Sequence, residues 1–210
     1  MNIDTYLISL KNRPDRRQVS LLELKKLGIN EEFIEIIDAQ YTASNGAIGC
    51  ANSHGFTLSK FLFDSDADYC LVLEDDFECI DEIVFKDSIK KILTSDVDWD
   101  VVLLASNMTV PLQATTIQNL FKVINAQTTS AYLVKRKFCP TLIKIFYESA
   151  YKNSESLKVL DNKTANHFFA IDMSWKQLQL QHNFLAFLPQ LIRQRDSYSE
   201  IENKEVSYGV

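Results

Sequence analysis

Tyr69-Cys70-Leu71-Val72-Leu73-Glu74-Asp75-Asp76 is an apolar run that ends in three adjacent carboxylates. Tyr69 to Leu73 has the length and continuous apolar character of a strand buried on both faces, as in a parallel sheet covered by helices. Three neighbouring acids at the end of such a strand repel one another and resist desolvation unless a positive charge neutralises them. A hard divalent cation, Mn²⁺ or Mg²⁺, answers that need, because such ions take oxygen ligands and keep positions open for substrate phosphates. Alternation along an extended chain places Glu74 and Asp76 on one side and Asp75 on the other, so Glu74 and Asp76 are the candidate metal ligands. Acids at this position are also favoured electrostatically by the N-terminus of a following helix, with no metal involved.

Working outward, Ile3 to Leu10 reads as another buried strand. A helix is expected next, capped by Asn12, with Asp15 in a shortened capping box and Pro14 in the first turn. Its inner stripe is read as Val19, Leu21, Leu22, Leu24 and Leu27, and Gly28 stops it. Phe33 to Ile37 is a second strand, Thr42 to Gly49 a polar loop, and Ala51 to Phe63 a helix. After the acids come a helix over Asp81 to Leu93 and a strand over Asp100 to Ala105. This alternation predicts an α/β fold with a mostly parallel sheet. The second half is less regular: strands at Phe121 to Ala126 and Ala131 to Lys135 across a polar turn, helices near Pro140 to Tyr151 and Asp172 to Gln181, and a polar tail from Asp196.

The chain has 210 residues, 46% of them hydrophobic, which is enough to build one sizeable core, so residues 1–210 are expected to form a single domain. A net charge of -6 argues against broad nucleic-acid binding, which needs clustered Lys and Arg. No apolar run approaches the roughly 20 residues of a transmembrane helix, and the first residues lack the pattern of a signal peptide. Cys50, Cys70, Cys79 and Cys139 form no C-x-x-C pair and are read as reduced and structural, which fits the cytosol.

Ser9-Leu10-Lys11-Asn12-Arg13-Pro14-Asp15-Arg16-Arg17 sets guanidinium groups and a helix N-terminus beyond the first strand, an anion site in outline. A solvated first helical turn explains the same residues. If the first and third strands are neighbours, this basic loop and the acids share one sheet edge and suit a metal-bound diphosphate. G-x-G-x-x-G, Walker and H-E-x-x-H motifs are absent. His54, His167 and His182 show no ligand-like spacing among themselves and read as structural or surface residues.

Taken in order, Tyr6-Leu7-Ile8-Ser9-Leu10 with Arg13 and Arg16-Arg17, then Gly49-Cys50-Ala51-Asn52-Ser53-His54, then Leu71 to Asp76, resemble the motifs of glycosyltransferase family 25. The resemblance continues through Thr129 to Leu133, Ala170-Ile171-Asp172, Leu188-Pro189, Gln194 and Tyr198 to Ile201, covering nearly the whole chain. It departs at Thr128-Thr129-Ser130, where the family often has Gly-Thr-His, and at Asn52 and Glu200.

Such a resemblance implies a GT-A-type fold with a Rossmann-like, mostly parallel central sheet flanked by helices. It implies inverting transfer of a hexose, galactose or glucose, from a UDP-sugar to a hydroxyl of a glycan, glycolipid or protein. By the same resemblance Mn²⁺ is the usual cofactor, Ser9, Leu10, Arg13 and Arg16 contact the nucleotide, and Ser53 and His54 support the donor pocket. Asp75, Gln194 and Ser199 fall on the donor side. Asp172 is the candidate base, although its place before an amphipathic segment also suits a helix N-cap. The implied setting is cytoplasmic or peripheral at a membrane. Two rival readings are a family member that binds nucleotide or a partner without turnover, and a metal-dependent nucleotidyltransferase.

Overall fold

The computed structural model describes residues 2–107, 109–199 and 204–206, with side chains through residue 196. The opening strand β1 spans Ile3–Ser9, and the helix α1 that follows spans Pro14–Lys26. Pro14 begins that helix, but its N-cap is Arg13 and no side chain caps it, so Asn12 does not have the expected role. Gly28 ends the turn at φ 76°, a left-handed conformation that costs glycine little. The expected inner stripe is narrower than the apolar pattern implied. Leu24 and Leu27 are buried, whereas Leu22 is 55% exposed and Val19 is exposed too, because Ser20 and Glu23 occupy the inner face. Those two polar residues serve the site and the adjoining strand.

Next come β2 (Ile34–Asp38), α2 (Gly46–Asp64), β3 (Tyr69–Glu74), β4 (Phe77–Cys79), α3 (Glu82–Thr94) and β5 (Val101–Leu103). Helix α2 starts five residues before the expected Ala51, because the Asn45 side chain accepts from Ala47 N and caps it. Gly49 belongs to this early turn. A Cβ there would lie 2.1 Å from the Gln40 carbonyl oxygen, so only glycine lets α2 pack this closely on the chain leaving β2.

The second half contains β6 (Val110–Ala114), β7 (Leu120–Ile124), β8 (Ala131–Lys135), α4 (Cys139–Ser156), α5 (Asn162–Phe169), α6 (Ile171–Ser174) and α7 (Lys176–Gln179). It closes with β9 (Phe184–Phe187), β10 (Ile192–Gln194), β11 (Ser197–Ser199) and β12 (Lys204–Val206). Strands β6, β9 and β10 and helix α5 carry no clear sequence signal, and the expected helix over Asp172 to Gln181 is two single turns broken at Trp175. The expected polar tail carries β11 and β12, which pair antiparallel.

Eight strands form one sheet in the order β2-β1-β3-β8-β5-β9-β7-β6. The pairings β1–β2, β1–β3 and β5–β9 are parallel, and β8 lies antiparallel between β3 and β5. Because β8 reverses and the next strand reverses again, β2, β1, β3, β5 and β9 all run the same way, so the sheet is mostly parallel in direction. Strands β7 and β8, read from the sequence as strands separated by a polar turn, have β5 and β9 between them in the sheet.

Side chains alternate between two cores. Cys70 and Val72 of β3 meet Leu58 and Phe61 of α2 and Leu142 and Phe146 of α4, whereas Leu71 and Leu73 meet Leu24, Phe85 and Ile92 of α1 and α3. Helices therefore cover both faces, and the apolar continuity of Tyr69 to Leu73 has its physical cause in that double burial. No helix among the described residues is long and apolar enough to cross a membrane.

Candidate functional site

Parallel pairing of β1 with β3 sets Ile8 beside Glu74, so the basic loop after β1 and the acidic triplet share one sheet edge, as expected. Glu74 is the last residue of β3, and Asp75 and Asp76 form the turn into β4. Strict alternation ends with the strand. Asp75 and Asp76 therefore meet one group, Arg16, whose Nη1 lies 3.2 Å from Asp75 Oδ1 and whose Nη2 lies 2.9 Å from Asp76 Oδ2. Arg16 comes from the first turn of α1 and is only 14% exposed, so it is a largely buried ion-pair partner.

Each acid is held differently. Ser9 Oγ donates to Asp75 Oδ2 at 2.7 Å, and the Asp75 carbonyl accepts from Ser20 Oγ and from Arg195 Nη2. Gln194 Nε2 donates to Asp76 Oδ2 at 2.8 Å, an approach set by the β4–β10 pairing of Gln194 with Phe77. Glu74 turns toward α2 and β8: its Oε1 accepts from Thr129 Oγ1 at 2.9 Å and lies 3.1 Å from His54 Nε2. The other ring nitrogen of His54 lies 3.0 Å from the Tyr132 hydroxyl. Because β8 runs antiparallel to β3, the residues before it, Thr128 to Ser130, arrive at the C-terminal end of β3, and Glu74 N donates to the Ser130 carbonyl.

These surroundings split the three acidities. Burial pushes Glu74 up, but His54, the Thr129 hydroxyl and the Arg16 charge outweigh it and leave the carboxyl below its ordinary value. Burial raises Asp75 against the pull of Arg16 and Ser9. Asp76 is pushed up to about 6, first by burial and then by the charge of Glu74. Asp76 Oδ1 is buried without a hydrogen-bond partner among the described residues. An uncompensated carboxylate oxygen beside two further acids fits a bound divalent cation, which would remove the strain that raises Asp76.

A cavity of about 270 Å³ opens beside the triplet, and Glu74, Gln194, Asp172, Cys50 and the Thr128 to Ser130 segment line it. Asp172 lies one residue inside α6, whose N-cap is Ala170, so it is not the helix cap. Its Oδ2 instead accepts from Thr128 N at 3.3 Å, and burial raises its carboxyl above the ordinary value. Two anchors fix α6 there: Ile171 and Trp175 are buried, and Trp175 Nε1 donates to the Ala126 carbonyl at 3.1 Å. The lining residues include two carboxylates and several amides and hydroxyls, with no Lys or Arg among them. Neutral hydrogen-bonding groups of this kind suit sugar hydroxyls, and the cations stand on the other side of the triplet.

Other expected residues lie apart from the cavity. Ser53 is buried in α2, donating to the Gly49 carbonyl and accepting from Gln40 N, so it braces the α2 start. Arg13 pairs with Asp15 across two hydrogen bonds, and the Leu10 carbonyl accepts from Arg13 N. Arg17 reaches Asp38 at the end of β2. Backbone pairing sets Ser199 opposite Lys204, whereas its side chain and residues 200–203 lie outside the described residues.

No family model matches the chain, and no curated protein matches it in sequence. Solved structures do. A glycosyltransferase involved in the glycosylation of the major capsid of PBCV-1 superposes with a TM-score of 0.55 over 97% of this chain and 97% of that one, at 8% identity. Mannose-1-phosphate geranyltransferase from Thermus thermophilus gives 0.54 over 89% of this chain and 74% of that one, at 10% identity. The fold is of the GT-A type. At these identities the likeness concerns the architecture alone.

Some of the site escapes a reading of the sequence. Cys50 and His54 are spaced i, i+4 on α2, a spacing that puts both on one helix face and is a usable signal. Thr129 and Gln194 offer no local signal for what they touch, since each reaches the triplet across a long sequence separation.

Proposed function

We propose that this chain is a divalent-metal-dependent glycosyltransferase, related to family 25, that transfers a hexose from a UDP-sugar to a hydroxyl acceptor with inversion. One observation carries the reading: the triplet Glu74-Asp75-Asp76 ends β3 with Arg16 on one side and the Asp172-lined cavity on the other. Charged phosphate chemistry and a sugar-sized polar pocket thus meet at one sheet edge, where open α/β sheets bind ligands.

In this reading Glu74 and Asp76 hold Mn²⁺ or Mg²⁺, Asp76 through its unpartnered Oδ1. The ion, when bound, stabilises the negative charge that grows on the departing diphosphate. Arg16 and Arg13, with Ser9, Leu10 and the start of α1, make up the nucleotide side, where guanidinium groups and the N–H groups of the first helical turn suit phosphate oxygens. Asp172 takes the proton from the acceptor hydroxyl as it attacks the anomeric carbon. Burial raises its pKa toward the working pH of a general base, and the Thr128 N–H orients one oxygen. Gln194 positions Asp76, and His54 with Thr129 positions Glu74.

Slow, metal-dependent hydrolysis of a panel of UDP-sugars tests this without knowledge of the acceptor. Release of UDP from UDP-galactose or UDP-glucose is expected. Consumption of a nucleoside triphosphate with release of diphosphate, and no reaction with any UDP-sugar, identifies a nucleotidyltransferase instead. Binding of UDP and Mn²⁺ with no hydrolysis or transfer leaves a nucleotide-binding module.

A further inference from the structure

Cys50, read from the sequence as structural, lines the cavity, and His54, read as a structural or surface histidine, is buried behind it; both lie beside Glu74. The Sγ of Cys50, a ring nitrogen of His54 and a carboxylate oxygen of Glu74 lie within 4.8 Å of one another. Four ligands around one zinc ion, at Zn–S of about 2.3 Å and Zn–N or Zn–O of about 2.0–2.2 Å, stand about 3.3–3.6 Å apart. His54 and Glu74 are already at 3.1 Å, and Cys50 Sγ, within 4.8 Å of both, needs to approach by no more than about 1.5 Å to reach tetrahedral spacing.

Two further features match a metal centre. The nitrogen of His54 that does not face Glu74 is held by the buried Tyr132 hydroxyl, the outer contact that orients a ligating imidazole. Thr129 Oγ1 donates to Glu74 Oε1 at 2.9 Å, bracing a second ligand. Cys50 and Glu74 line the cavity while His54 is fully buried, so three protein ligands would sit on the wall and a fourth position would face the space where substrate enters.

We propose that Cys50, His54 and Glu74 form a thiolate-containing site for a borderline-soft divalent cation, Zn²⁺ above all, with one coordination position open to the cavity. A thiolate and an imidazole select zinc over Mn²⁺ or Mg²⁺, which prefer oxygen. Binding exchanges the Cys50 thiol proton for the metal–sulfur bond, and that proton leaves to solvent. Glu74 is common to this site and to the oxygen site proposed at Asp76, but the zinc assignment stands on Cys50 and His54 and does not depend on the glycosyltransferase reading.

Co²⁺ titration of chelator-stripped, reduced protein tests it, because a cobalt–thiolate bond gives an intense near-ultraviolet charge-transfer band that oxygen and nitrogen ligands do not. One equivalent of Co²⁺ should produce the band, and Zn²⁺ should abolish it by displacement. Cys50→Ser should lose the band, whereas Cys79→Ser should keep it. Tyr132→Phe should keep the band with affinity lower by about 10–100-fold. Asp76→Asn should keep it even where Mn²⁺ and UDP binding is lost, which separates this site from the oxygen site. Absence of the band in the parent protein overturns the proposal whatever the variants do, and so does a band that survives in Cys50→Ser.

Discussion

Replacing Arg16 with Met keeps an unbranched apolar stem and removes the guanidinium and its charge, leaving Asp75 and Asp76 facing each other and Glu74 with their shared counterion gone. Both carboxylates are largely buried, 8% and 10% exposed, so solvent screens them poorly. Removing one partner of a buried ion pair costs about 3–5 kcal/mol, and the cleft edge places this one near the lower figure, about 3 kcal/mol. For a chain of this size that corresponds to a fall in melting temperature of about 6–12 °C. The deficit should depend on pH in a defined direction. Asp76 already stands at about 6 in the folded protein, above its ordinary value, so the folded state binds that proton more tightly than the unfolded chain. Stability from this group therefore rises as pH falls through 6 toward the unfolded value, and loss of Arg16 shifts the window upward. At pH 8 the variant should show its full deficit. At pH 5, with the Asp76 carboxyl mostly protonated, the gap should narrow toward the share of Asp75 alone. Thermal melts of parent and variant at both pH values, in chelator, decide the matter. A deficit below about 2 °C, or one equal at pH 5 and pH 8, means that the triplet is solvated and that its charges are not coupled through Arg16.

Glu74→Gln and Asp76→Asn should each abolish Mn²⁺-dependent UDP binding and turnover while the apo fold survives; calorimetry beside a transfer assay reads both, and retained metal affinity refutes the oxygen site. Asp172→Asn should leave Mn²⁺ and UDP binding intact and lower transfer by about 10²–10⁴-fold, the range of a lost general base; full activity removes it from that role. Arg13→Ala should weaken UDP binding by about 1.5–3 kcal/mol, read by calorimetry; binding equal to the parent's removes Arg13 from the nucleotide site. Gly49→Ala forces a Cβ into the Gln40 carbonyl, so α2 must shift at a cost of about 2 kcal/mol, read as a melting temperature lower by about 4–8 °C.

Local chemistry was enough to reveal the first half of this protein. An unbroken apolar run needs burial on both faces, so Tyr69 to Leu73 specified a strand inside a helix-covered sheet, and the adjacency of Glu74, Asp75 and Asp76 specified a charge problem wherever that strand ended. Gly28 and the strand–helix alternation are equally local, and each was read correctly as to kind. Where Asn12 and Leu22 were misread, the reason is tertiary. The face of α1 that packs inward carries Ser20 and Glu23, polar residues whose partners are the Asp75 carbonyl within the triplet and Cys79 N on β4.

Only the folded chain decided what meets the acids. Inserting β8 antiparallel between β3 and β5 delivers Thr128 to Ser130 to Glu74, and pairing β10 with β4 returns Gln194 and Arg195 to Asp76. Each contact joins residues far apart in the chain, and no periodicity or cap encodes such a pairing, because its free energy appears only when the sheet closes. The same holds for the counterions. The sequence showed that three carboxylates required positive charge, but the register of β1 against β3 determined that Arg16 supplies it to Asp75 and Asp76, while α2 turns His54 and Cys50 toward Glu74.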